Sequence, residues 1–155
     1  MIDESKNKSI IWSNYQRMRV RLAGRISQEL AQATGLSEAD FEILSALEQA
    51  PNQTLRVLAL RCGLDWEKSR LSHQLRRMEQ RGLIARTECT EDLRGTIVRS
   101  TAEGRARACE AKRYYDAAVQ RYFVEALSDD QLAALDQIAQ QVLEGLGPNP
   151  HEPLD

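Results

Sequence analysis

Apolar residues recur at steps of three and four along the first part of the chain: Ile11, Tyr15, Met18, Leu22, Ile26, Leu30 and Ala33. That spacing draws one stripe on a helix, because residues three and four apart share a face. It predicts a first helix over 9–33, with Arg17, Arg21 and Gln28 on the opposite side and Thr34-Gly35 as its stop. Ser37, with Asp40 three residues on, predicts a capped second helix whose apolar face is Phe41, Leu44 and Leu47 and which Pro51-Asn52 ends. Thr54 then suits the cap of a short third helix carrying Leu55, Leu58 and Ala59 and stopping at Cys62-Gly63. Asp65 is expected to cap a fourth helix reaching about residue 81, which Gly82 ends.

After Gly82 the period changes. Residues 84–89 and 96–100, rich in Thr, Ile and Val, predict two short strands joined by a polar loop over 90–95. Thr101 is placed to cap a fifth helix reaching about residue 126. Ser128-Asp129-Asp130-Gln131 reads as the capping box of a sixth, with Leu132, Leu135, Ile138 and Val142 on its apolar face and Gly145 and Gly147-Pro148 at its end. The expected fold class is mostly α with a small β-hairpin. A short helix, a tight glycine-containing turn and a longer helix, followed by a hairpin, make a winged helix-turn-helix.

Composition agrees with a helical chain. Among 155 residues there are only 8 Gly and 4 Pro, and aromatics are 5%. Mean hydropathy is -0.51 and no stretch is apolar for long enough to span a bilayer. The N-terminal residues lack the apolar core of a signal peptide, so a cytoplasmic protein is expected, with no membrane partner. Cys62, Cys89 and Cys109 are odd in number and far apart, matching neither a disulfide framework nor a zinc site, and are read as small buried or half-buried residues.

The net charge of -2 argues against a nucleic-acid partner, but its distribution matters more. Residues 56–107 carry twelve basic and seven acidic side chains, whereas 116–155 carry one basic and eight acidic. A basic middle with an acidic end fits a DNA-facing centre, the alternative being uneven but idle surface charge. The fourth helix sharpens the choice. Leu71, Leu75 and Met78 face a core, which turns Ser69, His73, Arg76 and Gln80 outward with Arg70, Ser72 and Arg77 beside them. Arginine can take guanine edges in the major groove, and serine and histidine make adaptable hydrogen bonds. The same pattern describes an ordinary solvated helix, but its place between a helix-turn unit and a basic hairpin favours a reader of DNA. His73 and His151 are the only histidines, no ligand set for a metal accompanies them, and no nucleophile-base pair or cofactor motif stands out, so no enzyme is expected.

Four pieces in order give a resemblance to the MarR family of regulators. Leu58-Ala59 with Cys62-Gly63-Leu64 resembles its third helix and turn, and Leu75 to Ile84 resembles the end of its recognition helix running into the wing. Asp92-Leu93-Arg94-Gly95 resembles its wing motif, and Thr101-Ala102-Glu103-Gly104 the start of its next helix, although Ser100 stands where leucine is commoner. The resemblance implies dimerisation helices over 9–36 and 101–147 around a winged helix-turn-helix over 37–100, with disordered tails at 1–8 and 148–155. It implies that Ser69, Arg70, Ser72, His73 and Arg76 face base edges, and that Lys68, Arg77 and Arg86 contact or lie near phosphates. Arg94 would reach the minor groove from the wing tip, with Asp92 orienting it. The implied partners are double-stranded DNA with a palindromic operator, a second copy of the chain and a small aromatic effector. Trp12, Tyr15, Arg19, Tyr114 and Tyr115 could contribute to an effector site or serve only in packing. The implied function is that of a dimeric repressor, and the alternative is a winged-helix protein-interaction module that has lost DNA binding.

Overall fold

The structure, a computed structural model, describes residues 4–88 and 95–148, with side chains from residue 7. Helix α1 spans Glu4–Thr34, α2 Glu38–Gln49, α3 Val57–Leu64, α4 Lys68–Gln80, α5 Ala102–Val119 and α6 Asp129–Leu146. Strands β1 (Thr54–Arg56), β2 (Ile84–Glu88) and β3 (Thr96–Ser100) form an antiparallel sheet in the order β1-β3-β2. The expected mostly-α fold with a winged helix-turn-helix is present. The core is built from α1 to α5 and the sheet, with Leu30, Ile43, Leu47, Leu60, Leu71, Met78 and Val98 among its fully buried side chains.

Several ends differ from the expectation. The first helix starts at Glu4 rather than Ser9, so residues 4–8 are helical and not a tail. They contain neither Gly nor Pro, and a helix already nucleated downstream extends through polar residues at little cost. Thr54 does not cap α3: residues 54–56 pair with β3, Leu55 opposite Val98, and α3 begins at Val57. The ladder bonds come from a strand more than forty residues away, which no local cap rule registers. Helix α3 runs past Cys62-Gly63 to Leu64, and Asp65 ends it in the left-handed conformation at φ 56°. Aspartate tolerates that conformation better than most residues. Asp65 is therefore not the cap of α4; Glu67 holds that position and makes no side-chain cap. The fifth helix is not continuous to residue 126 either: α5 gives way to a π-helical turn over Gln120–Val124, closed by the Glu125 N–H on the Gln120 carbonyl at 2.9 Å.

Other signals hold. The capping boxes at Ser37/Asp40 and Ser128/Gln131 are both formed. Gly82 takes φ 75°, a turn conformation glycine adopts without strain, and directs the chain from α4 into β2. The Thr101 hydroxyl donates to the Gly82 carbonyl at 2.6 Å and accepts from the Gly104 N–H at 3.0 Å, so one side chain ties the end of α4 to the start of α5. A Cβ built on Gly104 would lie 2.0 Å from the Leu83 carbonyl oxygen, so only glycine lets these two segments approach. Cys62 is half-buried as expected, but Cys109 is exposed on α5, whose buried side at that point is taken by Ala108 and Ala111. Cys89, Asp92 and Arg94 lie outside the described residues.

Candidate nucleic-acid interface

Helix α4 is held from three directions. Leu71, Leu75 and Met78 sink its inner face into the core, each at most 1% exposed. Gln74, on the same face, is also buried, and its amide donates to the Asp40 carboxylate at 2.6 Å. Asp40 has two further roles on α2. It accepts from the Ser37 N–H, which closes the capping box, and it receives the Arg81 guanidinium at 2.7 Å. Arg81 also donates to the Gly35 carbonyl at 3.0 Å. A buried carboxylate satisfied by so many donors fixes the start of α2 against the middle and end of α4; leaving any of them unpaired would be costly. Sequence spacing could not have found Gln74 or Asp40 as partners, since they are 34 residues apart.

The outer face of α4 is the candidate interface. Ser69, Arg70, Ser72, His73, Arg76 and Arg77 are all exposed, as is Lys68 at its first position. The structure thus brings the seven residues expected on this helix onto one solvent-facing surface. Arg70 is not extended into solvent: its guanidinium lies 3.8 Å from the centroid of the buried Trp66 ring. Glu42 of α2 accepts a hydrogen bond from Trp66. Burial raises its carboxyl above the ordinary value, and Glu38 adds to this, while Arg70 and the Trp66 bond pull the other way. Trp66 was not singled out by the sequence reading, though a tryptophan four residues before an arginine at a helix start is a spacing that allows such a stack.

Arg86, expected near phosphates, is engaged within the chain. Its guanidinium makes two hydrogen bonds to the Glu79 carboxylate, at 3.0 and 3.2 Å, which lower the Glu79 pKa and raise that of Arg86. The pair straps β2 of the wing to the last turn of α4, and its charge is largely neutralised locally.

The five residues expected around an effector are dispersed. Trp12 and Tyr15 are exposed on α1 with ring centroids 5.7 Å apart, and Arg19 bonds Gln16 on the same helix. Tyr114 is exposed on α5, while Tyr115 packs on Phe41 at 4.8 Å; burial and the carboxylates of Glu38 and Glu42 raise its pKa. A cavity of about 550 Å³ lies elsewhere, between α1 and the π-helical turn, and includes none of the five. Met18, Leu22, Phe123 and Leu127 supply its apolar wall, and Arg21, Arg25 and Tyr122 its polar groups. Glu29, next along α1, binds the Tyr122 hydroxyl and Arg121. Among the described residues no helix is long and apolar enough to cross a membrane, and no group of three potential metal ligands is assembled.

Comparison with known proteins agrees with this geometry. Residues 36–96, from the start of α2 to the start of β3, match the model of the MarR family. The HTH-type transcriptional regulator YdgJ of Bacillus subtilis is 24% identical over 106 residues, covering 68% of this chain and 63% of that protein, so the match spans less than two thirds of the relative. Among solved structures, Sco3205 of Streptomyces coelicolor, a MarR family transcriptional regulator in complex with DNA, superposes with a TM-score of 0.87 at 26% identity, covering 92% of this chain and 89% of that one. AbsC, a MarR family transcriptional regulator from the same organism, gives 0.84 at 28% identity, covering 90% and 94%. Residues 36–96 thus resemble the MarR family in sequence, and the chain shares the fold of MarR family transcriptional regulators, with the winged helix-turn-helix at its centre.

Proposed function

We propose that this chain is a sequence-specific, double-stranded DNA-binding transcriptional regulator that acts in the cytoplasm as a dimeric repressor. The observation that carries the reading is the outer face of α4. Ser69, Arg70, Ser72, His73, Arg76 and Arg77 stand exposed on a helix whose inner face is locked into the core. A rigid helix with this chemistry fits the major groove, where its first residues meet base edges. Sco3205, alike over nearly the whole chain, is a regulator described in complex with DNA, which supports the same use here. In this reading Lys68 and Arg77 contact phosphates, and Arg94, oriented by Asp92, reaches the minor groove.

Dimerisation is supported by large apolar side chains left exposed on a single chain. On α1, Ile11 and Trp12 are each 61% exposed, and on α6, Leu143 is 64% and Leu146 74% exposed. Exposed apolar rows of this kind suit an interaction surface, and a two-fold pair of α4 helices would read a palindrome. Relief of binding by a small aromatic ligand is favoured by the cavity beside α1. There Arg21 and Arg25 stand next to Tyr122 and Phe123, cations beside rings, which suits an aromatic acid.

The test is selection from a random pool of DNA duplexes. The expected product is a palindrome with half-sites one helical turn apart, and Arg76→Ala should relax preference at one position per half-site, costing roughly 1–3 kcal/mol there. A folded protein that enriches no sequence would instead favour a protein-interaction module.

A further inference from the structure

Trp66 is fixed more firmly than a turn residue needs to be. Its N–H donates to the Arg61 carbonyl at 3.2 Å, and its own carbonyl accepts from the Arg61 side chain at 3.3 Å. Its ring is 3% exposed and its side chain is tied to the Glu42 carboxylate on α2. Backbone, burial and hydrogen bond therefore set the plane of the indole before α4 begins at Lys68.

Arg70, in the first turn of α4, lies over that ring with its Cζ 3.8 Å from the centroid, a separation that suits stacking. Stacking occupies the flat face of a guanidinium and leaves its N–H edge free, and it is the edge that makes paired hydrogen bonds to a guanine. Among the described residues no hydrogen bond takes up that edge. A long, mobile side chain is thus ordered ahead of contact, in the part of the helix that meets base edges.

We propose that Trp66 is a specificity-positioning residue: its ring pre-orders the Arg70 guanidinium to read one base pair in each half-site. This rests on the DNA-binding reading above and assigns a role to a residue that does not itself reach DNA.

The experiment measures affinity for a selected operator and for every single-base-pair change in its half-sites. The proteins compared are the full chain, Trp66→Phe, Trp66→Leu, Arg70→Ala and the double variants, each checked for its melting temperature. Arg70→Ala is expected to lose discrimination at one symmetric position, on the order of tenfold or more. Trp66→Leu should lose most of the discrimination at that same position and keep it elsewhere, whereas Trp66→Phe, which retains a ring, should keep most of it. In the Arg70→Ala background neither change at Trp66 should alter the base profile further. Should Trp66→Leu not fold, Trp66→Met, which also lacks a ring, takes its place in the cycle with Arg70→Ala, coupling at that position being the expected result. Equal loss of affinity for all sequences, an unchanged profile for Arg70→Ala, or a Trp66 effect that persists without Arg70 would overturn the proposal. Failure of the unaltered chain to bind any duplex would overturn the DNA-binding reading itself, and is seen before any variant is compared.

Discussion

Gly104 illustrates how a single atom fixes the relation between two segments. The Leu83 carbonyl that its absent Cβ would strike also accepts the Thr101 N–H at 3.1 Å, so the segment after α4 and the start of α5 are in backbone contact. Alanine is intrinsically better in a helix by about 1 kcal/mol, but here the backbone would have to part. Gly104→Ala is therefore expected to destabilise the fold by roughly 2 kcal/mol net of that gain, read as a lower melting temperature. An unchanged or raised melting temperature would show that the approach is looser than described. The Thr-x-x-Gly spacing was visible in the sequence, and the structure supplies its reason: threonine spans both helices and glycine admits the carbonyl. Asp65 shows the opposite case. Aspartate serves both as a helix cap and as a left-handed turn residue, and local sequence could not say which role the chain would use.

Among the elements, those governed by neighbours three and four residues away were legible. The inner row Leu71, Leu75 and Met78 is buried and the outer row of α4 is exposed, as the helical period requires. Strand β1 was read as the start of a helix because its partner, β3, lies far along the chain. The same blindness to distance hid Gln74–Asp40 and Glu79–Arg86. The second pair changes how the charge of this surface is apportioned. Arg86 is bound within the chain, so Lys68 and Arg77 are the better candidates for neutralising phosphates. The helix-facing part of the candidate site was thus largely readable, whereas what holds its side chains in place was not, because burial and ion pairing are properties of the assembled fold.

For the whole molecule, charge and assembly decide the behaviour. The apolar rows of α1 and α6 are exposed on one chain, and a homodimer of about twice 17.6 kDa is expected by sedimentation at micromolar concentration. A stable folded monomer there would remove the argument for a palindromic site. Net negative charge is concentrated in residues 116–155, outside the basic middle segment that holds α4. At physiological salt, screening over roughly 8 Å leaves each part of the surface to act through its own charges. An acidic protein can then bind DNA through a local basic face. The most direct measurement is the affinity for one selected operator across a salt series, comparing the unaltered chain with the double variant Lys68→Ala, Arg77→Ala. Each neutralised phosphate contributes about -0.9 to the log–log slope, so a dimer with several contacts per subunit should show a slope on the order of -5 or steeper. The double variant should be shallower by roughly 3 to 4, while Arg86→Ala, already paired with Glu79, should change the slope less. A salt-independent affinity, or the same slope in the double variant, would contradict the account.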